Sequence, residues 1–163
     1  MRAASRPVAA ARLGCLGRDT FRGCGYGKAV GEFTTGKPDG LGASVPVVVE
    51  AWAERAERDG VEVYVNRSPM PTAPGAVEIV RLTERTLIGL SGLGLNVAAT
   101  RGYEGMKVGR QPLALRLSLV APWLPLQSQA KAVDLGACTE LVRGAVERAA
   151  RGAARSTGRG GRP

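Results

Sequence analysis

The chain has no histidine, which removes the side chain most often used as a general base and one of the commonest metal ligands. Ser-His-Asp and Cys-His nucleophiles and His-based zinc sites are thereby excluded. Cysteine is scarce: Cys15, Cys24 and Cys138 are odd in number and irregular in spacing. They signal neither a disulfide framework nor a paired zinc site, and a reducing, cytoplasmic setting is expected. Only seven residues of 163 are aromatic, against 23 glycines and 10 prolines, so a small core with loose ends is expected. Nowhere do eighteen apolar residues run together, and Met1 to Arg12 lacks the apolar run of a signal peptide. These absences predict a soluble, unexported protein with no membrane partner.

What is abundant is positive charge, and it is unevenly placed. Residues 1–45 carry seven Lys/Arg against three Asp/Glu, residues 46–140 carry ten of each, and residues 141–163 carry six Arg against Glu147 alone. A neutral middle between basic flanks attracts polyanions through a salt-sensitive field, which makes DNA or RNA a candidate partner without specifying a site. The C-terminal candidates for such contacts are Arg148, Arg151, Arg155, Arg159 and Arg162.

Glycines interrupt every periodic segment of residues 1–45, which read as an irregular Gly-rich connector. Val47 to Ala53 then forms a β-prone run, and Val61 to Asn66 alternates at period two. Together they predict a β-hairpin with Val61, Val63 and Val65 on one face. The stretch Val77 to Ala99 is left unassigned: Leu87, Leu90, Leu93 and Val97 allow a helix, and Gly89, Gly92 and Gly94 weaken it. Leu113, Leu115, Leu117 and Leu119 alternate with smaller or polar residues and predict a strand ended by Pro122 and Pro125. Asp134 can cap a helix beginning near Leu135, in which Cys138, Leu141, Val142, Ala145 and Ala149 recur at helical spacing. From Gly152 onward no large apolar residue remains, so a disordered basic tail over residues 152–163 is expected.

No motif for chemistry stands out. Gly23-Cys-Gly25-Tyr-Gly27-Lys28 matches neither a P-loop nor a dinucleotide fingerprint, because no strand precedes it and the spacings differ. Glu50, Glu54 and Glu62 are read as charges on a solvent-facing sheet face rather than as a catalytic pair. In Ala121 to Leu135, a loop between the clearest strand and the clearest helix, Lys131 is the one cation; read from the residues alone it is a solvated loop lysine.

Two separated segments resemble the transducer domain of topoisomerase VI B subunits. Val61 to Pro69, ending in Asn66-Arg67-Ser-Pro69, is similar to the transducer strand that ends in Asn-Arg-x-Pro, and Ser128-Gln-Ala-Lys131 resembles the Ser-x-x-Lys loop of that domain. With Val47 to Ala53 and the upstream connector, the resemblance spans roughly residues 5–151. Those subunits are GHKL ATPases. Their Bergerat-fold domain binds ATP and Mg²⁺, and their transducer relays nucleotide state to a DNA-cleaving A-type subunit. The resemblance implies that Lys131, supported by Ser128, senses the γ-phosphate, and that a Bergerat-fold domain and an A-type subunit are partners. The Asn- and acid-bearing helix and the Asp-x-Gly-x-Gly segment of that ATP site have no counterpart around Asp19, Asp39, Asp59 or Asp134. The chain is therefore expected not to bind ATP and Mg²⁺ or turn over ATP alone, as a truncated product or half of a split protein.

The fold expected is α+β: a small, mostly antiparallel sheet with one or two helices on one face and disordered ends. The family adds a ribosomal-protein-type βαβ arrangement. The domain is placed at residues 46–151, between the connector 1–45 and the tail 152–163. Two rival readings are a small basic nucleic-acid-binding module and a nonfunctional truncated remnant.

Overall fold

The computed structural model describes residues 8–35, 42–58, 60–70, 78–81, 85–90, 95–101, 113–125 and 136–156. Among the described residues eight strands form in chain order: β1 Gly25–Thr34, β2 Ser44–Arg55, β3 Gly60–Val65, β4 Ser68–Met70, β5 Glu78–Arg81, β6 Arg85–Leu90, β7 Leu95–Arg101 and β8 Leu113–Val120. One α-helix, α1, runs over Thr139–Ser156, and 3₁₀ turns lie at Ala10–Arg12, Arg18–Thr20 and Gly136–Cys138. The fold is α+β, with a five-stranded, mostly antiparallel sheet in the order β1-β2-β8-β3-β4 and one helix packed against it.

The alternating leucines of β8 make it the middle strand. Leu113, Leu115, Leu117 and Leu119 are all buried, and β8 pairs antiparallel with β2 on one edge and parallel with β3 on the other. The hairpin expected between Val47–Ala53 and Val61–Asn66 therefore does not form, because β8 lies between the two strands. Alternation in β3 told correctly which residues face inward, with Val63 buried and Val61 and Val65 packed against the core, but a period of two carries no information about the neighbour.

The Gly-rich stretch read as connector contains the edge strand β1, whose register with β2 runs from Gly25↔Ala53 to Thr34↔Ser44. Its glycines serve contact rather than looseness. A Cβ on Gly25 would strike the backbone of Ala149 and Ala153, and one on Gly27 the backbone of Ala145, because α1 lies directly upon β1. The contact is reciprocal at Gly152, where a Cβ would meet the Gly25 Cα. Gly152, read as the start of a disordered tail, is thus inside α1, which continues to Ser156 with Ala153 buried. Along α1 the buried stripe is Val142, Ala145, Val146, Ala149 and Ala153, with Leu141 partly buried beside it. Mostly small side chains on the helix and none at two strand positions allow this close approach. Arg148 also donates to the carbonyl of Lys28 on β1.

The described residues of the stretch Val77 to Ala99, in β5, β6 and β7, form a second, antiparallel sheet in the order β5-β6-β7. Its register shifts between Ile88 and Leu90, the kind of irregularity that glycine, here Gly89, accommodates in a strand. Strands β3 and β4 are joined by Asn66 and Arg67, at φ 48° and 70°, the positive-φ pair of a two-residue type I′ hairpin turn. Pro69 sits in β4 at the sheet edge, where a missing N–H is tolerated.

Two substitutions test this packing. Gly27→Ala forces a methyl into the α1 backbone and should lower the unfolding free energy by about 3 kcal/mol or more. Arg67→Gly relieves an L-residue from left-handed backbone and should raise it by about 0.5–1 kcal/mol. Urea unfolding followed by circular dichroism reads both.

Candidate functional site

The sheet has two chemically different faces. Toward α1 the cross-strand rows are apolar, for example Gly27, Ala51, Leu117 and Val63. On the opposite face the rows read Tyr26, Trp52, Arg116, Glu62 and Lys28, Glu50, Ser118, Tyr64. Residues from Ala10 to Phe21 cover part of that polar face. Strand β2 is consequently buried without a break from Val45 to Ala53.

Glu50 organises this layer. Its side chain is fully buried, and its carboxylate accepts the backbone N–H groups of Leu16 at 2.7 Å and Gly17 at 2.8 Å and the Tyr26 hydroxyl at 2.7 Å. Gly17 has φ 88°, a backbone region that L-residues rarely adopt. Beside it the fully buried Trp52 donates its indole N–H to the Arg18 carbonyl at 3.3 Å and packs edge-on against Phe21 at 5.1 Å. Arg116 closes the row. It bonds Glu54 at 2.7 Å and Glu62 at 3.3 Å while its guanidinium lies 4.7 Å from the Phe21 ring centre. Glu50 is thus not a solvent-facing charge as expected; Glu54 and Glu62 lie partly exposed at the rim.

The acids of this face are engaged in holding structure together. Burial, then the charge of Glu54, pushes the Cys24 thiol up, opposite to what an activated nucleophile needs. Among the described residues no three His, Cys, Asp or Glu side chains are grouped to hold a metal ion.

A different cluster joins the two segments singled out in the sequence. At the end of β3 the Asn66 N–H donates to the Leu119 carbonyl at 2.8 Å, and the Asn66 side-chain oxygen accepts the Ala121 N–H at 3.0 Å. Ala121 is buried and is the first residue after β8, where the Pro122–Pro125 corner begins. Trp123 in that corner is half exposed and stacks on the buried Phe33 of β1 at 6.3 Å. The corner leads on in sequence to Ser128 and Lys131, and both of these, with Asp134, Arg159 and Arg162, lie outside the described residues. Arg148 and Arg151 are exposed on α1, and Arg155 falls within the same helix.

Sequence reading missed Glu50 and Asn66 as organising residues. A charge in the middle of Val47 to Ala53 was the available signal for Glu50, since a carboxylate in an apolar run must be paired if buried. Asn66 gave no signal of its partner, which lies 55 positions away.

Among the described residues no helix is long and apolar enough to cross a membrane. No protein-family model matches the sequence, and comparison with curated proteins and with solved structures gives no match.

Tyr26 supplies a test of the Glu50 cluster. Burial, and then its bond to Glu50, hold the phenol well above its ordinary value. The folded state keeps this proton more tightly than the unfolded state, so the associated stability is present below about pH 10 and falls as pH rises beyond it. Tyr26→Phe should destabilise by about 1.5–3 kcal/mol at neutral pH. It should also reduce the decline above pH 10, as measured by chemical unfolding at a series of pH values.

Proposed function

We propose that this chain acts as a transducer-like relay of the kind found in topoisomerase VI B-type ATPases, coupling the state of a separate nucleotide-binding domain to a DNA-acting partner. One observation supports this reading above the others. The strand that carries the first part of the resemblance, Val61 to Pro69, lies beside the strand that leads toward the second: β3 and β8 pair in parallel, and Asn66 bonds across to Leu119 and Ala121. The strand Val61 to Pro69 thus touches Ala121, the residue from which the chain departs in sequence toward Ser128 and Lys131.

In this reading Lys131 is the residue assigned to the γ-phosphate of a nucleotide held by a partner domain, with Ser128 supporting its loop. The five-stranded sheet and α1 form the body that the loop acts upon. DNA is acted on by an A-type partner, not by this chain. Displacement of a charge-assisted contact between Lys131 and phosphate provides the two-state signal.

The test mixes the chain with the isolated Bergerat-fold domain of a topoisomerase VI B subunit, with Mg²⁺ and either a nonhydrolysable ATP analogue or ADP. Association should be tighter with the analogue, and Lys131→Ala should weaken it by about 10- to 100-fold, the scale of one charged hydrogen bond. Equal association with both nucleotides, or none, defeats the proposal. Calorimetry or fluorescence anisotropy gives the affinities.

A further inference from the structure

The Asn66 corner shows more than adjacency. A backbone N–H buried just beyond the end of a strand has lost its ladder partner and must find another acceptor. For Ala121, itself buried, that acceptor is the side-chain oxygen of Asn66 at 3.0 Å. The backbone of the same asparagine donates to Leu119 at 2.8 Å, two residues earlier in the strand. One residue therefore grips β8 on both sides of Val120, fixing where the strand stops and the direction in which the Pro122–Pro125 corner departs.

Asparagine suits the position for two separate reasons. Its φ of 48° lies in the left-handed region, which Asn and Asp tolerate better than other residues with a Cβ. Its side chain is short and carries an acceptor that reaches the neighbouring strand. Glycine would satisfy the first requirement and not the second. Alanine would satisfy neither, and aspartate would satisfy both. Arg67 follows at φ 70°, so the turn that presents Asn66 is itself held in an unusual conformation by the β3–β4 pairing Val65↔Ser68.

We infer that Asn66 is a positioning residue for the connection leaving β8, coupling the β3–β4 turn to the departure of the chain at Ala121. Its part in signalling rests on the relay reading above, while its grip on Ala121 stands on the geometry alone. Movement of the β3–β4 hairpin displaces the acceptor on which Ala121 depends. Any load on the connection is likewise transmitted first to the turn.

The experiment separates these two levels. Amide hydrogen exchange on the whole chain is followed at Ala121 and Leu119, with β2 and α1 amides as references. Asn66→Gly should speed exchange at Ala121 by roughly 3- to 10-fold, the loss of one hydrogen bond, with the references unchanged. Asn66→Asp should restore slow exchange. Unchanged exchange in Asn66→Gly, or equally fast exchange in Asn66→Asp, overturns the positioning role, and so does a uniform rise at the reference amides. The same variants then enter the nucleotide-dependent association assay. Weakening by Asn66→Gly with recovery by Asn66→Asp supports the coupling. Association unaffected by Asn66→Gly but lost in Lys131→Ala overturns the coupling and leaves the relay reading standing. If the unsubstituted chain shows no nucleotide-dependent association, the relay reading and the coupling fall together, and the exchange data alone decide whether Asn66 holds Ala121.

Discussion

A carboxylate with no access to water is stable as an ion only when donors surround it, and the three donors on Glu50 come from parts of the chain that would otherwise have no reason to meet. Two are consecutive backbone N–H groups from the segment before β1, and the third is the hydroxyl of Tyr26 on β1. Removing the side-chain oxygens would leave those donors without an acceptor under a layer that also buries Trp52. The anchored segment is what covers the second face of the sheet, and that cover lets β2 be buried on both sides. A chain with seven aromatic residues thus obtains a second packed layer by ordering a glycine-containing strap around one ion, with three of the seven, Phe21, Tyr26 and Trp52, gathered beside it.

The opposite face solves the shortage of large side chains differently. Where α1 crosses Gly25 and Gly27 the helix backbone meets the strand backbone, and a stripe of alanines replaces the usual leucines at the interface. Dispersion between closely approaching main chains substitutes for the burial of bulky groups. Four buried leucines lie on β8, the middle strand of the sheet. Asn66 and Ala121 lie at the end of this strand, so the proposed relay begins at a rigid element.

Local periodicity was legible wherever one rule dominated. The alternating leucines identified β8, the period-two valines identified β3 and its inward face, and the spacing of Leu141, Val142, Ala145 and Ala149 identified α1, although the helix begins at Thr139 rather than near Leu135 and Cys138 lies in the 3₁₀ turn before it. What could not be read was pairing. Two β-prone runs close in sequence suggested a hairpin, yet each instead pairs with β8, a strand whose position depends on contacts distant in the chain. The same holds for glycine. In β1 and at Gly152 it looked like loss of structure, because the reason for a missing Cβ is the partner surface, and no single segment contains that information. Glu50 was visible as an anomaly in an apolar run and was assigned to solvent because its donors lie more than 20 residues away. The site expectations on Ser128 and Lys131 rest on the family resemblance.

An outer strand ten residues long would ordinarily be an adhesive surface, able to recruit the same strand of another molecule. Here the helix packed on it opposes that. Antiparallel pairing of two copies through β1 would set the strands about 4.8 Å apart and place both helices on the same side of the joined sheet. Helices packed side by side need about 8–10 Å between axes. Because α1 lies on β1 as well as on β2, the two helices would crowd one another as the strands approached. With Arg148 already engaging the Lys28 carbonyl, the glycines that draw the helix onto the edge also leave less room for a second strand to pair there.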